Sequence, residues 1–454
     1  MNKESVMNNR IAALILTLTM LLSALAACGH SEPDYSQFTM PEETGKLVLY
    51  AADNGLDTLL SPALEIFGEL YPEVEVSYEI CDPDEYQARV REEIPAGGGP
   101  DLVLLSSITF PDIYKTMITG VFEDLNPYFE TDADITLADF VEPVMDGGVL
   151  NGRRYLAPLN YEMPLILTTK SILNEMGLTV DELKTCDGFV EGATRFREKH
   201  TDATLYFDNA QGYAPYSTDI RTLYKNFGFN FIDYMTGKVA IDAERFKQCM
   251  DLVKLYYDPD YDVTDRSKWD IDLYFAGGAL HRKLCPFDDF SASSYCNYYD
   301  TYVWLSVDEE MPVLFLQANQ NEGVTAELGY CAAIPEESEN KANAWKLLKI
   351  LLSDAIQGGH DENRGGNSYF WSGFPVRLSS TKSALKVDPD LTPDGPLLTK
   401  YVTYVQSPTE ALLIPQIYRQ LIDEEIMPYI RGEKEWDVCY KSFVKALKTY
   451  KRSK

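Results

Sequence analysis

Between residues 46 and 105 the chain alternates two periodicities, and this limits the folds open to it more than any other feature. Residues 46–51 are a short apolar run, read as a strand. Pro62 opens a helical pattern with Ala63, Leu64, Phe67, Leu70 and Tyr71 on one face, Ser61 as N-cap and Pro72 as its stop. Residues 73–80 alternate strictly, with Val74, Val76, Tyr78 and Ile80 on one side, which predicts a strand with one more polar face. Asp82-Pro83-Asp84-Glu85 starts a second helix, with Asp82 as cap. Gly97-Gly98-Gly99-Pro100 is a turn, and Asp101 leads into Leu102–Leu105, a buried apolar strand. The order β-α-β-α-β predicts a parallel, doubly wound sheet. Such sheets hold ligands just beyond the carboxyl ends of their strands. Here those ends carry Asp53 with Asn54 and Ser106 with Ser107, four candidate ligand contacts whose alternative role is capping the helices that follow. The glycine triplet lacks the Lys-Ser/Thr ending of a phosphate loop and precedes a strand, which argues against a nucleotide.

A second unit starts near Tyr161. Thr179-Val180-Asp181-Glu182 is a capping box before a helix, and Asp242 opens another with Phe246, Cys249, Met250, Val253 and Tyr257 on one face. Residues 342–352 read as an apolar helix containing Trp345. The last helix bears Trp436, Tyr440, Phe443, Leu447 and Tyr450 at spacings of three and four. No repeat of 20–50 residues is visible. With 454 residues, the chain suffices for two lobes of about 200 residues each.

Asp and Glu total 71 against 40 Lys and Arg, a net charge of -31. That charge argues against nucleic acid and anionic lipid surfaces as partners. Only one apolar stretch approaches membrane length, which excludes a polytopic membrane protein. Lys3 and Arg10 precede residues 11–27, which carry no charge; Ala24, Ala26, Ala27 and then Cys28 follow the pattern of an export signal. A transmembrane anchor is the alternative. Leu25-Ala26-Ala27-Cys28 resembles the bacterial lipobox, where cleavage precedes the cysteine and its thiol receives diacylglycerol. Removing residues 1–27 takes away Lys3, Glu4 and Arg10, a net of +1, so the mature charge is -31 - 1 = -32. Residues 28–45, polar and broken by Pro33 and Pro41, read as a flexible tether. Of the other cysteines, Cys81, Cys186, Cys249, Cys285, Cys296, Cys331 and Cys439, none forms a C-x-x-C pair. Buried thiols are expected, with a Cys285–Cys296 bridge as an alternative.

Five segments, in order, resemble the family 1 extracellular solute-binding proteins of ABC importers, a group with many sugar receptors. They are residues 96–103 (AGGGPDLV), 120–125 (GVFEDL), 151–158 (NGRRYLAP), 275–280 (FAGGAL) and 332–335 (AAIP), the last followed by Ala344-Trp345. Leu280 stands where methionine is common, and no tryptophan follows Cys285-Pro286-Phe287. The resemblance implies two α/β lobes, each a sheet flanked by helices, joined by crossing strands with ligand in the cleft. Lobe one would be residues 46–158 and 326–377, lobe two residues 159–325 and 378–454. It also implies a lipid-anchored monomer on the extracytoplasmic face of the membrane that delivers a solute to a permease, with no cofactor and no bond chemistry.

A neutral sugar is held by aromatic faces on its C–H surfaces and by polar groups on its hydroxyls. The candidate platforms are Trp269 beside Asp270, Trp304, and Trp371 beside Ser372; Trp371 lies in a glycine- and asparagine-rich loop, residues 358–373. Tyr161 and Glu162 follow the first crossing and are expected to face the cleft. Trp345 and Trp436 lie on apolar helix faces and belong to the core. Asp258, Asp260 and Asp262 have calcium-loop spacing, but Val263 and Trp269 replace its glycine and glutamate, so a solvated acidic turn without metal is the reading. Neither G-x-S-x-G nor H-E-x-x-H occurs. A lipid-anchored glycoside hydrolase and a receptor that signals without transport remain alternatives.

Overall fold

The computed structural model describes residues 35, 37–52, 56–106, 113–208, 215–216, 223, 225–259, 278–290, 295–307, 311–361, 367–368, 373–385 and 395–452. The chain divides into two units, Met1–Thr39 and Met40–Lys454. In the first, the described residues include a turn in which the Phe38 amide donates to the Tyr35 carbonyl (2.9 Å). Cys28 and the export segment lie outside the described residues. In the second, residues 40–45 carry neither helix nor strand, but their end is docked: Glu43 pairs with Lys346 at 2.8 Å, and the Asn343 amide donates to the Thr44 carbonyl at 2.8 Å.

Strands β1 (Lys46–Ala52), β2 (Glu75–Cys81) and β3 (Leu102–Leu105) are connected through helices α1 (Leu56–Leu70) and α2 (Pro83–Glu93). They run parallel in the order β2-β1-β3, as the alternation predicts. Two distant strands complete the sheet, Cys331–Ala333 and Ala157–Pro158; the first lies antiparallel to both β3 and the second, so the whole sheet is mixed. All four residues of β3 are buried. Helix α1 begins at Leu56, and Pro62 sits inside it. An interior proline costs a helix about 3 kcal/mol. Burial of Leu59, Leu60, Ala63 and Phe67, each no more than 2 % exposed, offsets that cost, since each large side chain contributes about 1.5–3 kcal/mol. Leu70, expected on the buried face, is exposed. Strand β2 alternates as predicted but forms the sheet edge, so Ile80 is exposed too. Asp82 caps α2, accepting from the Asp84 amide at 3.0 Å. Gly97 and Gly99 have φ of +76° and +92°, which explains glycine at both. Buried Asp101 then fixes the start of β3. It accepts from the Val48 amide (2.7 Å), the Ser338 hydroxyl (2.7 Å) and the Asn340 amide (3.0 Å).

A second five-stranded sheet has the order Pro215–Tyr216, Tyr206–Asp208, Phe287–Asp289, Leu165–Thr169, Pro312–Leu316. Its interior strand Leu165–Thr169 is wholly buried. Helices Cys186–Lys199 and Ala243–Tyr256, capped by Thr185 and Asp242, meet where the Tyr256 hydroxyl donates to the Ala193 carbonyl (2.6 Å). The capping box at Thr179 and Glu182 is formed.

A four-stranded sheet has the order Phe374–Pro375, Asn160–Glu162, Thr325–Leu328, Glu410–Leu412, and two of its strands link the other two sheets. Asn160–Glu162 leaves the first sheet after Leu159 and enters the second at Leu165; Thr325–Leu328 makes the return to Cys331. Buried Gln357 ties this crossing together, donating to the Leu159 carbonyl (3.2 Å) and accepting from the Val376 amide (2.9 Å). Gly373 (φ +80°) lies so close that a Cβ there would meet the Tyr161 carbonyl oxygen at 2.5 Å.

Trp345 and Trp436 are core residues. The Trp345 ring packs on Tyr128 and Phe129 and donates to Asp132 at 2.7 Å; Trp436 packs on Phe246, Tyr429 and Tyr440. Cys81, Cys186, Cys249, Cys285, Cys331 and Cys439 are buried, and the side chain of Cys296 lies outside the described set. Burial pushes Cys186 up to about 11.

Candidate functional site

The crossing sheet carries a cluster of polar side chains. Asn160–Glu162 pairs antiparallel with Thr325–Leu328, placing Glu162 directly opposite Glu327 and Tyr161 opposite Leu328. Tyr161 points into the core. Its ring is fully buried against Phe374, and its hydroxyl donates to the Val405 carbonyl at 2.6 Å. The pair expected to face the cleft is therefore split by strand alternation: Tyr161 builds the sheet, and Glu162 keeps a partly exposed carboxylate.

Between Glu162 and Glu327 stands Lys225, from a helical turn closed by the Phe227 amide on the Leu223 carbonyl. Its ammonium lies 3.1 Å from Glu162 and 3.0 Å from Glu327. Burial alone would lower its pKa; Glu327, then Glu162 and Asp289, outweigh burial and hold it above the ordinary lysine range. With Thr325, Met163 and Ile414 these three line a crevice too narrow to admit water.

Two further hydrogen-bonded groups anchor the surroundings. Gln317, fully buried, accepts from the Tyr206 hydroxyl (2.7 Å) and the Asn226 amide (3.0 Å). Asn319 donates to Thr325 (2.9 Å) and Glu410 (2.8 Å), and Thr325 also donates to Glu410 (2.6 Å). Sequence reasoning missed Lys225, Glu327, Gln317 and Asn319. The one available hint was a glutamate inside the otherwise uncharged strand Thr325–Leu328.

Ser106 is the first residue beyond β3 and is buried. Trp304 lies in the helix Tyr295–Val307, with its side chain outside the described set. Asp53, Asn54, Ser107, Trp269, Asp270, Trp371 and Ser372 lie outside the described residues, as do Asp260 and Asp262; Asp258 is exposed. Among the described residues no three His, Cys, Asp or Glu side chains converge as a metal site, and no helix is long and apolar enough to cross a membrane.

The family model described as bacterial extracellular solute-binding protein matches residues 52–248. No curated protein matches the chain in sequence. Solved structures share the fold. The sugar-binding protein MalE from the phytopathogen Xanthomonas citri superposes with a TM-score of 0.62 at 14% identity, over 89% of this chain and 97% of its own. A cyclic α-maltosyl-1,6-maltose binding protein from Arthrobacter globiformis gives 0.57 at 14% identity, over 90% and 100%. An ABC substrate-binding protein from Listeria monocytogenes, solved with cycloalternan, gives 0.52 at 12% identity, over 90% and 98%. The fold is thus the two-lobed α/β type of periplasmic binding proteins. Over residues 52–248 the chain is thus similar to the bacterial extracellular solute-binding proteins, and its fold is theirs.

Proposed function

We propose that this protein captures a carbohydrate outside the cytoplasm and delivers it to an ABC permease. The observation that carries this reading is the crossing sheet, which connects two five-stranded sheets and presents Glu162 beside a buried polar network. The sugar-binding similar structures favour a carbohydrate over other solutes. Lobe one is taken as residues 46–158 and 326–377, lobe two as 159–325 and 378–454; the first sheet's strands fall in one set and the second sheet's in the other. Closure of the lobes about the crossing strands hides the solute. Asp53, Asn54, Ser106, Ser107 and Glu162, with Trp269, Asp270, Trp304, Trp371 and Ser372, supply the contacts. Tyr161 supports them from beneath.

A thermal-shift panel of maltooligosaccharides, cyclic glucans, monosaccharides, peptides and polyamines tests the solute class. A ligand at 100 times its Kd adds about 2.7 kcal/mol, a rise of a few degrees. A shift with peptides or polyamines and none with sugars overturns the carbohydrate reading. Cys28 is the lipid attachment site in this proposal. Cys28→Ser should leave the membrane fraction or remain unprocessed, and unchanged anchoring would refute it.

A further inference from the structure

The net charge of -31 argues against anionic lipid for the molecule as a whole, but the last helix departs from that average. Residues 438–454 hold Lys441, Lys445, Lys448, Lys451, Arg452 and Lys454 and no Asp or Glu, in a chain with 71 acids. Helix Trp436–Arg452 buries Cys439, Phe443 and Leu447 and turns Lys441, Lys445 and Lys448 to solvent. Spacings of four and three put these lysines on one stripe about 10 Å long. Val438, 57% exposed, stands at its head. Among the described residues none of the three ammoniums has an ion-pair partner, whereas Lys247, Lys341, Lys346 and Lys349 each have one. Glu433, Glu435 and Asp437 gather at the helix's other end. Cations complement a helix dipole only in the last turn, which reaches neither Lys441 nor Lys445. Like charges three and four residues apart repel, so the row weakens the helix that carries it.

We propose that this stripe rests on anionic lipid headgroups and sets how the receptor lies on its membrane. The proposal rests on the lipid-anchored reading above, which keeps the stripe near that surface. Ammoniums are compact point charges, and a row of them on a convex helix reads charge density rather than shape. A leaflet of anionic headgroups presents charge along the whole row. A polybasic patch is also the kind of second signal that adds to an acyl anchor. The helix is fixed to the body at both ends. Trp436 packs on Phe246 and Tyr429. At the far end the Lys115 ammonium, from the helix Ile113–Ile118, donates to the Tyr450 carbonyl at 2.6 Å and lies 3.6 Å from the centre of its ring. Headgroups that hold the stripe therefore orient the unit Met40–Lys454 as a whole. The acidic remainder does not prevent this, because at about 0.1 M salt charges more than about 10 Å from the headgroups are largely screened, while the stripe is in contact.

The test uses residues 28–454 with Cys28→Ser, which keep every described residue and carry no lipid. The chain is sedimented with vesicles of phosphatidylcholine, alone or with about 30 mol% phosphatidylglycerol, in about 0.1 M salt. Wild-type sequence at the stripe should bind the anionic vesicles and not the neutral ones. Each lysine at such a surface is worth about a fivefold factor, so Lys441→Gln/Lys445→Gln/Lys448→Gln should weaken binding about a hundredfold. The same loss of charge elsewhere, in Lys170→Gln/Lys199→Gln/Lys400→Gln, should leave it within about twofold. Should the first triple variant not fold, Lys441→Gln and Lys445→Gln singly should each weaken binding about fivefold. Equal binding to the two kinds of vesicle overturns the proposal, as does an equal loss in the two triple variants or binding that survives about 1 M salt. Binding to polyglutamate but not to the vesicles overturns it too, and assigns the stripe to an acidic protein. Lipid on Cys28 does not enter this measurement, so failure of the anchor reading shows only in the membrane fraction and is told apart from failure here.

Discussion

The first five-stranded sheet and the crossing sheet are separated by one or two residues of chain, yet opposite means hold them. In the first, Leu47, Leu49, Ala51 and Ala52 of β1 and all of β3 are no more than 2 % exposed and apolar. Its buried carboxylate, Asp101, stands at the strand start and bonds to backbone and loop groups. In the crossing sheet the corresponding positions are Glu162, Thr325, Glu327 and Glu410, held by Lys225 and Asn319. Apolar burial is non-directional and tolerates changes of shape. A satisfied polar network permits one arrangement and is costly when broken in part. In the proposed closure, a sheet that links two lobes has to return to one geometry each time, and directional bonds specify that geometry where oily packing does not.

The comparison breaks if both regions respond alike to truncation. The largest effect is expected at Phe67, fully buried in α1. Phe67→Ala should cost about 3–5 kcal/mol in denaturant unfolding through the cavity it leaves, with solute affinity unchanged. A smaller cost is expected at Asn319. Asn319→Ala leaves the Thr325 and Glu410 groups without their amide donor and should cost about 1–3 kcal/mol. It should also lower affinity, because Thr325–Leu328 loses part of what holds Glu327 opposite Glu162. Equal affinities in the two variants would erase the distinction between the regions.

The first region was legible in the sequence because its signals are local. Strand and helix periods, Asp82 and the glycine turn are each read within a few residues. Where the reading failed locally, at Pro62, burial of Leu59 and Leu60 outweighed a helix-start preference that sequence alone favours. The crossing site was legible only at Glu162. Glu327 is 165 positions away and becomes its neighbour through strand register, and Lys225 arrives from a turn with no periodic pattern. Tyr161 was misread for a related reason. Adjacent residues on a strand face opposite ways, so Tyr161 and Glu162 cannot both present side chains to one cleft.

The smallest expected effect sharpens the comparison, since the protein holds a second carboxyl pair that has no lysine between its members. Glu336 follows the first sheet's strand Cys331–Ala333, and its amide donates to the Val121 carbonyl (2.9 Å). Glu123, on the facing segment, binds Lys341 at 2.6 Å and Tyr128 at 3.2 Å, so the ammonium serves Glu123. Burial of its carboxyl, a hydrogen bond with Glu123 and the charge of Glu123 push Glu336 up to about 7. The sign is that of an acid raised on folding. The unfolded chain releases this proton near pH 4.5 and the folded one near 7, so the contribution is best below 4.5, declines as pH rises to about 7, and is level above. Glu336→Gln removes the titration. The Tm of Glu336→Gln minus that of wild type should therefore rise between pH 4.5 and 7 and then flatten, with an amplitude kept small by solvent around Glu336 and reduced further by salt. Taking differences cancels the other carboxylates, of which Asp132, Glu175, Glu182, Asp187, Asp233 and Asp354 are lowered on folding and push stability the opposite way. A difference that does not vary with pH would mean that Glu123 and Glu336 share no proton, and that a carboxyl pair here can do without the lysine that the crossing sheet places between its own.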